Sequence, residues 1–119
     1  MTKRICLGLD LQDDSKLIEE YTRYHEPGGV WPEIIQSLYD SGIVDMEIYL
    51  LGNRLFMILE ADDTFSLERK ANMDRANEKV QQWESLMREN FQQALPWEEE
   101  LRWVKMDRVF KLGLQQHNM

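Results

Sequence analysis

The stretch Glu20-Tyr21-Thr22-Arg23-Tyr24-His25-Glu26-Pro27, followed by Trp31-Pro32-Glu33, sets one of the chain's two histidines among phenol and indole rings and carboxylates. An imidazole has an unperturbed pKa near ~6.5, so it can take or give a proton close to neutral pH. Tyr21 precedes His25 by one helical turn and shares its face; it can hold the ring or donate to a ligand oxygen. Together they suit a pocket that moves protons on a neutral polar ligand. A histidine at a helix end also does plainer work, satisfying the terminal carbonyls. His117, near the C-terminus, is given no role.

Two further rings stand at useful spacings. Tyr49 belongs to an alternating segment and Trp83 to a helical stripe, and both types can stack on the apolar C–H face of a sugar. Both periods equally describe ordinary core residues. Trp31, held extended by Pro32, reads as a pocket wall, a folded corner or a subunit contact.

The elements that must position these residues follow from periodicity. Ile5, Leu7 and Leu9 alternate along a first strand, with Gly8 on its other face. Asp13 or Asp14 can cap a helix running to about His25, where Pro27 disfavours continuation and Gly28-Gly29 makes a loose corner. Pro32 suits the first turn of a second helix with Ile34, Ile35 and Leu38 as its stripe, and Gly42 ends it. Val44, Met46, Ile48 and Leu50 alternate; Gly52-Asn53 then turns the chain into Leu55-Phe56-Met57-Ile58-Leu59, an antiparallel hairpin. Asp62-Asp63-Thr64 opens a two-part helix, predicted to break near Asn72-Met73-Asp74. Its longer piece over about 74–89 aligns Ala76, Val80, Trp83 and Met87. The segment around Pro96-Trp97 has no assignment. Residues from Trp103 to Leu112 are predicted to form a last strand, with 113–119 a mobile tail.

This order predicts one α+β domain over 1–119, ferredoxin-like, with an antiparallel sheet covered by helices on one face. Apolar residues on the uncovered face predict a homodimer. At 119 residues no second core is needed. A net charge of -8 and scattered Lys and Arg argue against nucleic-acid binding. Cys6 has no partner for an internal disulfide and reads as a buried structural thiol. No zinc-ligand spacing, calcium loop, phosphate-cradling glycine loop or serine nucleophile elbow is present. No signal peptide opens the chain and no apolar run reaches the ~20 residues that span a bilayer, so a cytoplasmic protein is expected.

The pattern Tyr21-x-x-Tyr24-His25-x-Pro27 with Trp31-Pro32-Glu33 resembles the L-rhamnose mutarotase family. Ile48-Tyr49-Leu50, Gln82-Trp83 and Val109-Phe110-Lys111-Leu112 extend the likeness along nearly the whole chain. The resemblance implies a ferredoxin-like dimer that interconverts the anomers of L-rhamnose or a related 6-deoxy sugar such as L-fucose, without metal or other cofactor. It implies His25 as the proton-transfer residue, Tyr21 as its companion, and Tyr49 as a sugar-binding tyrosine. Trp83 and Trp31 would bind and desolvate the sugar. Gln82 falls where many members carry a tryptophan, and is expected to read a hydroxyl. Two other classes fit the composition: a non-enzymatic dimeric metabolite- or protein-binding module, and a ferredoxin-like monooxygenase.

Overall fold

In the computed structural model, which describes residues 2–115, strand β1 (Lys3–Leu11) runs through the centre of the sheet. Leu7, Leu9 and Leu11 point to one face and are buried; the alternate Cys6, Gly8 and Asp10 point to the other. Cys6 is therefore half-buried, not the fully buried thiol expected, because an even-numbered position on β1 faces away from the helices.

Helix α1 (Ser15–Tyr24) is capped by Asp14, whose carboxylate accepts from the backbone N–H of Lys16 and Leu17 at 2.9 and 3.1 Å. Helix α2 (Pro32–Asp40) begins with its proline at the first turn, where a missing N–H costs nothing. Strands β2 (Ile43–Leu51) and β3 (Arg54–Ala61) form the hairpin. Gly52 takes φ +62°, and no other residue type is left-handed among those described, so the turn has the II′ pattern with glycine first.

Helices α3 (Leu67–Arg75) and α4 (Glu78–Asn90) are separate. The break lies at Ala76-Asn77, later than the predicted 72–74, because Asn77 supplies the cap: its carbonyl oxygen accepts from Lys79 and Val80. Ala76 is consequently outside the apolar stripe. Val80, Trp83 and Met87 form it alone, all buried.

The sheet has five strands in the order β2-β3-β1-β4, all antiparallel, with β4 (Gln92–Gln93) and β5 (Val104–Lys105) sharing the outer edge of β1. Four helices lie on one face. The short β4 carries no alternation that would announce it; the backbone of Phe91, accepting from Gln12 at 2.8 Å, brings it in. The expected last strand is only two residues long. Beyond Met106, Val109 and Phe110 stand out from the body of the chain, 96% and 62% exposed. A 3-10 turn covers Leu112–Leu114; His117 and the remainder of the expected tail, 116–119, lie outside the described residues.

Two neighbouring apolar clusters fill the space under the helices. One joins Tyr21, Ile34, Trp83, Met87 and Phe91 to Leu11 and Leu55; the other packs Phe65 on Leu7, Ile43, Leu59 and Ala61. Each large side chain taken from water here contributes on the order of 1.5–3 kcal/mol. The first cluster is also the wall of the candidate site.

Candidate active site

His25 is the C-terminal cap of α1. The last turn tightens, so its backbone N–H bonds to Thr22 O at 3.1 Å, while Tyr21 O, one turn below, meets the ring nitrogen Nδ1 at 2.7 Å. A carbonyl oxygen can only accept, so Nδ1 carries the proton and the neutral ring presents its lone pair at Nε2. Burial lowers the His25 pKa from 6.5, only partly opposed by that hydrogen bond. Neutral imidazole is thus the resting form near pH 7.

The corner that follows is tight rather than loose. Gly29 N–H bonds to Glu26 O at 2.8 Å, and a Cβ at Gly29 would collide with the Tyr24 carbonyl. Trp31, Pro32 and α2 are thereby folded back toward α4.

The rings of Tyr21 and His25 lie 4.2 Å apart, tilted by 31°. Trp83 meets His25 edge-on at 5.7 Å and Trp31 at 5.1 Å, and Tyr24 closes the group at 6.1 Å from Trp83. Tyr21 is buried, and desolvation drives its phenol pKa well above the usual 10. It remains a hydrogen-bond donor at any ordinary pH.

This aromatic group borders two cavities. The larger, about 770 Å³, runs between the sheet and α3–α4 and has Tyr21 and Trp83 in its lining. The smaller, about 320 Å³, is lined by His25, Val30 and Tyr39. Leu38, Met46 and Ile48 border both, and the imidazole reaches the larger one through its ring contacts with Tyr21 and Trp83. Either volume exceeds that of a monosaccharide, and the walls are mostly apolar with a few polar groups, as small-ligand sites are.

Four of the six residues singled out from sequence, Tyr21, His25, Trp31 and Trp83, are thus brought together. Tyr49 is not with them. Its neighbour Ile48 faces the cavity, so Tyr49 stands on the opposite sheet face beside Phe56 and Gly8. There its hydroxyl donates to Glu47 Oε2 at 2.5 Å, and that contact raises its pKa. Gln82 is exposed on the outer side of α4 and lines neither cavity. Its neighbours Gln81 and Glu84 line the larger one instead. The signal for Glu84 was present in the sequence: it lies four residues after Val80, on the same helical stripe as Trp83 and Met87. Met46, at the border of both cavities, was read only as a strand residue.

The family model for L-rhamnose mutarotase matches residues 4–112. An L-fucose mutarotase from Xanthomonas campestris pv. campestris is 40% identical over 112 residues, 93% of this chain and 89% of that protein. A UPF0734 protein of Dictyostelium discoideum is 38% identical over 117 residues, 92% of this chain and 90% of its own length. The crystal structure of an L-rhamnose mutarotase from Formosa agariphila superposes with a TM-score of 0.66 at 23% identity, over 92% of this chain and 98% of that one. At that identity the likeness speaks to the fold. An antiparallel α+β sheet with four helices, carrying these matches, defines an isomerase that interconverts sugar anomers. The chain belongs to the L-rhamnose mutarotase family.

Proposed function

We propose that the chain interconverts the α and β anomers of a 6-deoxy-L-aldose, L-fucose ahead of L-rhamnose, with His25 as the proton carrier. The observation that carries the mechanism is the 2.7 Å contact from Nδ1 to Tyr21 O, which leaves Nε2 as a base among aromatic walls. The 40% identity to an L-fucose mutarotase supports the order of substrates.

In the reaction Nε2 takes the proton of the C1 hydroxyl and the C1–ring-oxygen bond breaks. The imidazolium returns that proton to the departing ring oxygen, which starts bonded to the same carbon. The open-chain carbonyl rotates, and closure on its other face reverses both transfers. Tyr21 keeps its proton and donates a hydrogen bond to the oxygen that bears developing charge. Trp83 and Trp31 cover the sugar's apolar face and exclude water. Nothing is oxidised or reduced, and the chemistry asks for no cofactor.

The strand order β2-β3-β1-β4 with helices on one face supports a ferredoxin-like arrangement. Tyr49 and Leu51, 51% and 85% exposed on the other face, support a homodimer in which a second copy covers them. A neutral monosaccharide as ligand accords with the net charge of -8, which disfavours nucleic acid. No helix among the described residues is long and apolar enough to cross a membrane. We place the activity in the cytoplasm.

The test is anomer exchange followed by saturation-transfer NMR over a panel of L-fucose, L-rhamnose and other aldoses. Acceleration above the spontaneous rate, with the highest kcat/KM for L-fucose, is expected. Equal or greater efficiency with L-rhamnose reverses the substrate order, and no acceleration of any aldose removes the reading. For the assembly, sedimentation should give a dimer that Leu51→Glu dissociates; a wild-type monomer contradicts it.

A further inference from the structure

We propose that Glu84 is the specificity-determining residue of the larger cavity, its carboxylate accepting from the C3 and C4 hydroxyls of the bound sugar. This rests on the mutarotase reading above and extends it to the end of the site away from the reacting carbon.

The lining of this cavity is chemically mixed. Tyr21 and Trp83, both in ring contact with His25, belong to it. So do Lys70 and Asp74 from α3, and Glu84 from α4, half-buried one residue after Trp83. Lys70 Nζ and Asp74 Oδ2 are 2.5 Å apart, so their charges are spent largely on each other. Among the described residues Glu84 has no such counterpart: Gln81 Nε2 stands 3.5 Å from its Oε2, the edge of hydrogen-bond range. Gln81 is itself engaged, donating to Asp74 O at 2.8 Å. Glu84 therefore offers acceptor capacity to whatever enters the cavity.

A pyranose held with C1 at an imidazole directs C4 to the opposite side of its ring, with C3 beside it. Adjacent hydroxyls present two donors that the two oxygens of one carboxylate can accept together. From the sheet, Leu7, Leu9, Met57 and Leu59 add an apolar surface to the same cavity, suited to the C6 methyl of a deoxy sugar. Burial, and then the charge of Asp74, raise the Glu84 pKa, while Lys70 and Arg88 act against them. Desolvation of this kind strengthens a hydrogen bond once a donor arrives. L-Fucose and L-rhamnose differ in configuration at C2 and C4, so a reader of the C4 hydroxyl separates them.

The experiment compares wild type, Glu84→Gln and Glu84→Ala in the full-length chain, measuring kcat and KM for anomer exchange with L-fucose and its 4-deoxy analogue. Glu84→Ala should raise KM for L-fucose about tenfold or more, the weight of a hydrogen bond to a charged group, with kcat nearly unchanged. Glu84→Gln, which keeps one acceptor and the helix face, should fall between. On the 4-deoxy analogue, Glu84→Ala should cost far less than on L-fucose. An unchanged KM in Glu84→Ala, or an equal penalty on both sugars, overturns the assignment while wild-type exchange leaves the mutarotase reading intact. If wild type accelerates no aldose, both fall. Circular dichroism checks folding; should Glu84→Ala fail to fold, the KM of Glu84→Gln decides, an unchanged value counting against the proposal.

Discussion

The helix-covered face of the sheet and its open face each set aromatic rings beside ionisable groups, yet they place those groups in different surroundings. Under the helices, Tyr21 and Trp83 are buried around His25, and desolvation is the leading influence on both the imidazole and the phenol. On the open face Tyr49 is half in water, and its pKa is raised first by the hydrogen bond to Glu47 and then by the charge of that carboxylate. Nearby, the Arg54 guanidinium lies 5.0 Å from the ring of an exposed Trp97 while bonding Asp10 at 2.8 Å. Similar residue types are therefore desolvated on one face and wet on the other, and only the first setting suits the proposed proton transfer. Enclosure makes the difference.

The largest effect expected from breaking this contrast is at His25. His25→Ala should remove about 100-fold or more of the enzymatic rate, within the usual range for a positioned acid–base group. Exchange within about threefold of wild type would put the chemistry elsewhere. Trp83→Ala should then cost about 3–5 kcal/mol of stability in urea unfolding, since it empties the middle of the cluster. Arg54→Ala should lower the urea midpoint by less than Trp83→Ala does, since it leaves Asp10, 2% exposed, without its partner, and should leave kcat unaltered. A loss of activity in that variant would tie the open face to catalysis. Tyr49→Phe is the smallest: kcat/KM should stay within about twofold, and a tenfold fall would bring Tyr49 back into sugar binding.

His25 also links the covered face to pH. Its folded pKa lies below the ordinary 6.5, so the unfolded chain binds the extra proton between the two values. The corresponding stability is complete above about pH 6.5 and is lost as pH falls through the folded value. The gap between the denaturant midpoints of wild type and His25→Ala should be constant above that window and shrink as pH falls through it.

Much of this is legible in the sequence. Alternation marks β1 and β2 because one face is buried and period two is strict, and a continuous apolar run marks β3; the residue types at Gly52-Asn53 and Pro32 mark a turn and a helix start. The grouping of Tyr21, His25 and Trp31 was carried by a local motif with a forced helix end. What was hidden depends on non-local geometry. The strand period permits Tyr49 either face, and only pairing with β3 assigns it to the open one. Gln82 and Glu84 flank Trp83 symmetrically in sequence; the angle at which α4 lies on the sheet turns Glu84 inward. β4 has two polar residues and no pattern, and β5 ends early because the apolar run after Met106 leaves the sheet.

The protonation of His25 decides most directly whether it is the proton carrier, read from nitrogen-15 shifts across a pH series with and without L-fucose. Nδ1 should be protonated and Nε2 bare in the neutral ring, with a midpoint below 6.5 and a perturbation centred on Nε2 when sugar binds. An Nε2–H tautomer, or an imidazole blind to sugar at saturation, would contradict that role.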